Sequence, residues 1–152
     1  MFHTIDEPWE LRILDAAPPA FNLGSLSAGD VDGDGNVEMI TGGAGGLWWY
    51  RPATAEKGLI DHGEFHVGNV LEDVDGDGLP ELVMEVTGET KQIRWYKPQG
   101  ELSRPWEKHV IEPNHSGSAH DVLFADVDGD GARELIAICL LYTSPSPRDL
   151  ST

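Results

Sequence analysis

The chain of 152 residues carries 27 acidic and 10 basic residues, which gives a formal net charge of −17 at pH 7. A field of that sign repels nucleic acids and anionic membrane surfaces, so we predict neither as a partner, and no stretch approaches the ~20 apolar residues of a membrane span. The length suits one domain, the single cysteine (Cys139) permits no intrachain disulfide, and residues 1–15 lack the basic and apolar regions of a signal peptide.

Short apolar segments rich in Val, Ile, Trp and Tyr recur along the chain, and clusters of Gly, Pro and Asp separate them. In chain order they are PWELRILD, VEMIT, LWWY, ELVMEVT, QIRWY, KHVIE, DVLFAD and RELIAI, at residues 8–15, 37–41, 47–50, 81–87, 92–96, 108–112, 121–126 and 133–138. This composition and spacing are typical of β-strands, and no window shows helical periodicity with caps. The sequence therefore predicts an all-β fold.

An acidic loop of nine residues occurs three times between these segments. It reads DVDGDGNVE at residues 30–38 (loop 1), DVDGDGLPE at residues 73–81 (loop 2) and DVDGDGARE at residues 126–134 (loop 3). The loops begin 43 and 53 residues apart and hold twelve of the 27 acidic residues, so the charge is concentrated locally. Carboxylates this close repel one another unless a cation or a set of donors compensates them.

Units of about 40–50 residues with four short strands are typical of β-propeller blades. We therefore predict a β-propeller fragment of about two and a half four-stranded blades within a domain at residues 1–138. The repeats are expected at about residues 20–65, 66–112 and 118–138, the last one truncated, with a trailing strand before them at residues 8–15.

The tail, CLLYTSPSPRDLST at residues 139–152, has no counterpart after loops 1 and 2. It resembles a translated sequencing adapter, so we expect a non-native segment there, or otherwise a disordered Pro/Ser-rich tail.

Three Asp, two Gly and one Glu are invariant in the loops, at positions 1, 3 and 5, positions 4 and 6, and position 9. Ca²⁺ takes six to eight oxygens from carboxylates, carbonyls and water, which the three Asp, the Glu and the carbonyl at position 7 would supply. The predicted ligands are Asp30, Asp32, Asp34, Asn36 and Glu38; Asp73, Asp75, Asp77, Leu79 and Glu81; and Asp126, Asp128, Asp130, Ala132 and Glu134. Mg²⁺ would keep more of its waters, Zn²⁺ would favour His or Cys, and a plain hairpin turn is the alternative without a metal.

An EF-hand is excluded on two grounds. Its loop ends in a carboxylate at position 12, where this chain has Thr41, Met84 and Ala137. Its loop is also flanked by helices, whereas strands are predicted on both sides here.

The motif DVDGDGxxE between two strands, in units of this length, resembles the FG-GAP/VCBS repeat of integrin-α-type β-propellers over roughly residues 20–138. The resemblance implies Ca²⁺ in each loop, a scaffold or binding role with a protein or carbohydrate partner, completion by further blades, and an extracellular or periplasmic location. The FG-GAP string itself survives only faintly in TGGAGG, at residues 41–46.

A second resemblance offers a different class of function. The combination WYKP, PWEKHVI and HDVLFADVDGDG resembles propellers attached to sugar lyases of the aldos-2-ulose dehydratase kind. That alternative would place His66 and His120, each just ahead of a strand that enters an acidic loop, near a ligand site in a central channel. Ordinary residues at strand ends are the competing interpretation, and the repeated Trp and Tyr residues are expected to pack rather than to bind sugar.

Overall fold

The computed structural model describes residues 10–88, 91–113 and 119–139. Within these ranges the regular structure is entirely β, with ten strands in three antiparallel sheets of four, four and two strands. The all-β prediction is confirmed. No helix in the described ranges is long and apolar enough to cross a membrane. The tail at residues 140–152 lies outside the described residues.

Within each sheet the strands are neighbours in chain order. Sheet 1 contains β1 (Phe21–Gly29), β2 (Glu38–Ala44), β3 (Gly46–Arg51) and β4 (Glu56–Asp61). Sheet 2 contains β5 (Asn69–Glu72), β6 (Glu81–Val86), β7 (Gln92–Lys97) and β8 (Glu107–Glu112). Sheet 3 contains β9 (Ala119–Ala125) and β10 (Glu134–Cys139), which ends one residue beyond the boundary expected at residue 138.

The acidic loops connect the first and second strands of each sheet. In every case the Glu at position 9 opens the second strand and lies opposite the residue that precedes the first Asp. The pairs are Gly29 with Glu38, Glu72 with Glu81, and Ala125 with Glu134. The loops are therefore hairpin connections held in one common register.

The core lies between sheets 1 and 2. Ile40 and Leu47 of sheet 1 pack with Leu82 and Met84 of sheet 2 and with Phe65 from the connection between them, and all five are fully buried. Strand β6 is buried at all six positions, because its alternate faces contact this core and β9. Strand β5 contacts both β1 and β9, so the first strands of the three sheets are neighbours.

A carboxylate at the end of one unit joins it to the next. Asp61, the last residue of β4, accepts hydrogen bonds from Arg94 (3.2 Å), the Tyr96 hydroxyl (3.0 Å) and Lys108 (3.0 Å) of sheet 2. Burial raises the pKa of the Tyr96 hydroxyl above its usual range, so that hydroxyl stays a donor. We call this arrangement the Asp–Tyr–Lys clasp.

The same clasp recurs before sheet 1. Asp15 accepts hydrogen bonds from the Tyr50 hydroxyl at 3.3 Å and from the Lys57 ammonium group. The bond from Lys57 lowers the pKa of the Asp15 carboxyl, and burial together with the Asp15 charge raises the pKa of Tyr50 to about 12. The segment before sheet 1 thus contacts sheet 1 in the same way as the end of sheet 1 contacts sheet 2.

Two predictions of local structure were wrong. The trailing strand expected at residues 8–15 is not a strand in its described part, residues 10–15. A strand needs a hydrogen-bonded backbone neighbour, and none of the described strands pairs with these residues. His120 was placed ahead of a strand but lies within β9, because that strand begins at Ala119.

The second and third sheets meet at a buried carboxyl group. The Glu85 side chain on β6 is fully buried, and burial raises its pKa to about 7. A hydrogen bond from the backbone of Ala119 and the charge of Lys91 oppose this rise, but burial prevails. Glu85 therefore takes up a proton on folding near neutral pH.

The clasp predicts a graded loss of stability. Tyr96→Phe removes one buried hydrogen bond and should lower the free energy of unfolding by about 1 kcal/mol. Asp61→Ala leaves two cations facing each other without their carboxylate and should cost about 2 kcal/mol. The control Glu101→Gln breaks only an exposed pair with Arg104 at 3.9 Å and should change little. Urea denaturation measures all three, and equal effects of Asp61→Ala and Glu101→Gln would contradict the clasp.

The raised pKa of Glu85 predicts how the stability of the protein changes with pH. Its pKa in the folded protein, about 7, is above the value of 4.5 for an ordinary Glu, so its charged form disfavours the folded state. The wild-type protein should therefore be less stable than Glu85→Gln at pH 8, and the difference should shrink as the pH falls from about 7 towards 4.5. Urea denaturation of both proteins in EDTA at several pH values checks this. A constant difference would show that Glu85 is not the titrating group.

Candidate metal centres

The three acidic loops adopt the same hydrogen-bonded geometry. Both oxygens of the Asp at position 1 accept bonds from the backbone N–H groups of the two glycines, at 2.6–3.0 Å. The Asp at position 3 accepts from the N–H of position 5, and the Asp at position 5 accepts from the N–H of position 7. These four bonds recur in each loop, and they offset part of the mutual repulsion of the carboxylates.

The Glu at position 9 accepts a fifth bond of this kind and holds the loop against the sheet. One of its oxygens accepts from the N–H of the Val at position 2, over 3.3 Å in loop 1, 2.8 Å in loop 2 and 2.9 Å in loop 3. Glu38 and Glu81 are buried and Glu134 is half-buried. A buried carboxylate at the start of the second strand thus ties the loop to the sheet.

The glycines allow the loop to curl. Gly33 and Gly35 have φ angles of +74° and +85°, and the glycines of loops 2 and 3 lie between +79° and +93°. Residues with a Cβ rarely adopt this region, whereas Gly does so readily. Their N–H groups consequently point at the first Asp of the loop.

Each loop gathers carboxylates that could hold a metal ion. One oxygen each from positions 1, 3 and 9 lies within 4.8 Å of the other two. The three groups are Asp30, Asp32 and Glu38; Asp73, Asp75 and Glu81; and Asp126, Asp128 and Glu134. No His or Cys among the described residues joins such a group, so the donor set is one of hard oxygens that suits Ca²⁺ or Mg²⁺ rather than Zn²⁺.

The Asp at position 5 contributes differently in each loop. Asp34 and Asp77 lie beside a cationic side chain, Arg51 at 3.1 Å and Lys97 at 2.6 Å. The pKa of the Asp34 carboxyl is lowered mainly by the N–H of Asn36, and that of Asp77 mainly by Lys97. The Asp130 carboxylate accepts only the N–H of Ala132 among the described residues.

The sequence analysis missed these two cations. Arg51 and Lys97 are the last residues of β3 and β7, one position beyond the pairs Met39–Tyr50 and Leu82–Tyr96. That register places each of them across from the Glu at position 9 of its loop. The signal was present in the repeated WYRP and WYKP strings, but the turns before them differ in length, so spacing alone did not reveal the contact.

The two candidate histidines lie on adjacent segments of the chain's fold, and their rings have separate partners. The His66 ring lies 3.1 Å from the carbonyl of Asn22 through its Nδ1, and the His120 ring lies 2.9 Å from Asp121 through its Nδ1. His66 precedes β5 and His120 lies in the neighbouring β9, and the N–H of Gly68 donates to the carbonyl of His120. Each ring nevertheless contacts a different partner.

The repeated aromatic residues serve packing, as expected. Trp49, Tyr50 and Tyr96 are buried. Trp95 stacks on His109 with ring centroids 4.1 Å apart.

Comparison with known families identifies part of the chain. Residues 73–137 match the family model of the FG-GAP-like repeat. The matched segment contains loops 2 and 3, so the resemblance drawn from those loops is confirmed. Neither a curated protein nor a solved structure matches the chain significantly.

The positive φ of the loop glycines predicts that replacing one of them by Ala lowers the free energy of unfolding. Gly76 has φ +79°, and a Cβ there would meet nothing within 4 Å, so Gly76→Ala is strained by its backbone and not by crowding. We expect a loss of about 1 kcal/mol in the free energy of unfolding. The control Gly76→Asn tolerates this φ and should cost less. Urea denaturation in EDTA measures both, and equal losses would contradict the backbone explanation.

Proposed function

From the FG-GAP-like repeat at residues 73–137, we propose that this chain is a calcium-stabilised binding module of the β-propeller type. The observation that carries the proposal is the threefold recurrence of one loop geometry, with carboxylate oxygens of positions 1, 3 and 9 gathered within 4.8 Å. A turn without a ligand does not require three carboxylates to converge in all three copies. The role is structural, because each loop closes a hairpin within a sheet.

The donor set supports calcium among the hard cations. Each loop offers four carboxylates and the carbonyl of position 7, and Ca²⁺ accommodates six to eight oxygens in a flexible arrangement. Bound calcium would supply two positive charges to a loop that carries four negative ones. The chain's own residues fix the loop in advance, through the five bonds from backbone N–H groups.

The arrangement of the sheets supports a propeller-type module. The first strands β1, β5 and β9 are neighbours, and the clasp joins successive units in the same way twice. The outer face of β1 exposes Phe21, Leu23 and Leu26 beside a groove of about 570 Å³. A protein partner, a carbohydrate or a further blade of the same kind would cover that face.

Loop 2 provides the sharpest test of the calcium proposal. Asp75→Asn removes the charge of one carboxylate of the gathered group and should weaken calcium binding at loop 2 at least tenfold. Calcium should also raise the stability of this variant less than that of the wild type, since a ligand that binds only the folded state stabilises it by RT ln(1 + [L]/Kd). Titration calorimetry and urea denaturation with and without calcium measure the two effects.

Leu79→Ala is the matched control in the same loop. It keeps the backbone carbonyl of position 7 and should leave calcium affinity nearly unchanged. Its side chain lies beside Gly33 of loop 1, so a small loss of stability that does not depend on calcium is expected. Equal weakening of calcium binding by both substitutions would show that the ligand assignment is wrong, and the absence of calcium binding by the wild type would refute the proposal itself.

A further inference from the structure

One oxygen of each carboxylate at positions 3, 5 and 9 is turned away from the backbone donors in loops 1 and 2. In loop 1 these three oxygens surround the guanidinium group of Arg51, at 2.6 Å from Asp32, 3.1 Å from Asp34 and 2.9 Å from Glu38. The hydrogen bond to Glu38 is the main cause that raises the pKa of Arg51 above its usual range.

Loop 2 repeats the arrangement with a different cation. The Lys97 ammonium group contacts Asp75, lies 2.6 Å from Asp77 and lies 3.4 Å from Glu81. The bonds to Asp75 and Asp77 raise the pKa of Lys97 above its usual range, so this side chain is charged at neutral pH. A guanidinium group and an ammonium group thus lie at equivalent points in two loops of the same sequence pattern.

The carboxylates that contact these cations include ones that a metal ion would need. Positions 3 and 9 belong both to the gathered carboxylate group and to the set that contacts the cation. A carboxylate oxygen that contacts Arg51 or Lys97 cannot also face a divalent ion at full strength, because two cations a few ångströms apart repel each other. The side chain and the metal therefore compete for one position.

Loop 3 has the same carboxylates without such a competitor. None of the lysines and arginines in the described ranges contacts Asp128, Asp130 or Glu134. The neighbouring Arg133 is instead paired with Glu72 of sheet 2. Loop 3 can therefore be compared with loops 1 and 2 as an acidic loop whose carboxylates contact no cationic side chain among the described residues.

We propose that Arg51 and Lys97 are tethered counter-cations that compete with calcium, so that three loops of equal ligand chemistry bind it with unequal affinity. This inference rests on the proposed calcium function. Without metal, each side chain compensates the carboxylates of its own loop and keeps the hairpin closed. With metal, the side chain must be displaced, and Glu56, at 3.8 Å from Arg51, offers that guanidinium group another carboxylate. Loop 3 is therefore the tightest site, and loops 1 and 2 are weaker.

Calcium titration of charge-removing variants tests the competition. By calorimetry the wild type should show one tight and two weak sites. Arg51→Gln and Lys97→Gln should each tighten one weak site at least tenfold, a change that the repulsion between nearby charges readily supplies. Lys97→Arg keeps the cation and should keep the weak site. Arg104→Gln removes an equal charge from a surface pair far from the loops in sequence and should change no affinity.

Stability supplies a second readout that does not depend on calorimetry. In EDTA, Arg51→Gln and Lys97→Gln should be less stable than the wild type, because their loops lose the counter-cation. In saturating calcium the difference should vanish or reverse. A side chain that merely supports the loaded loop would lower stability under both conditions.

The outcomes separate this inference from the proposed function. If the wild type and both glutamine variants bind no calcium, the proposed function fails, while the measurements in EDTA still report whether the side chains act as counter-cations. If the wild type binds calcium but the glutamine variants leave the weak sites unchanged or weaken them further, the competition is refuted and the calcium function stands.

Discussion

The mutual repulsion of four carboxylates in nine residues is the constraint on which the rest of the structure depends. A chain that places this charge in a hairpin connection must supply donors to the carboxylates, and the nearest ones are the backbone N–H groups of the same nine residues. The backbone N–H groups do so, and they reach the carboxylates only because glycine permits positive φ at positions 4 and 6. The invariant letters of the motif are therefore explained by the geometry of the loop even before a metal is considered.

The loops also influence how the sheets pack. The Glu at position 9 is buried in loops 1 and 2 as the first residue of a strand, so the acidic connection is continuous with the core strand that follows it. Leu79, at the variable position 7 of loop 2, lies beside Gly33 of loop 1 and connects the two loops. The residue at position 7 differs among the three loops, and in loop 2 its side chain contributes to the contact between units.

Local patterns revealed the strands and loops, whereas contacts between distant residues were beyond the sequence. Segments such as ELVMEVT and QIRWY formed strands because composition and turn residues act over a few positions. The position of Arg51 against loop 1 depends on the register across β2 and β3, which a one-residue change in a turn would alter. The segment PWELRILD resembles a strand in sequence, yet in its described part it pairs with no described strand and contributes the Asp15 carboxylate instead. Pattern identifies an element, but the neighbour decides whether the element forms.

Formal charges explain why a loop that holds a tethered cation can still attract a divalent ion from solution. Arg51 reduces the formal charge of loop 1 from −4 to −3, and Lys97 does the same for loop 2, so each loop remains strongly negative without metal. A single positive charge on a side chain stabilises the hairpin without neutralising it, and the remaining field still attracts a divalent cation. Because the side chain is covalently attached, its local concentration does not depend on any ion in solution, so loops 1 and 2 keep part of their compensation without metal. Among the described residues no cationic side chain contacts the carboxylates of loop 3, since its own Arg133 pairs with Glu72, so in that loop the backbone N–H groups alone offset the repulsion.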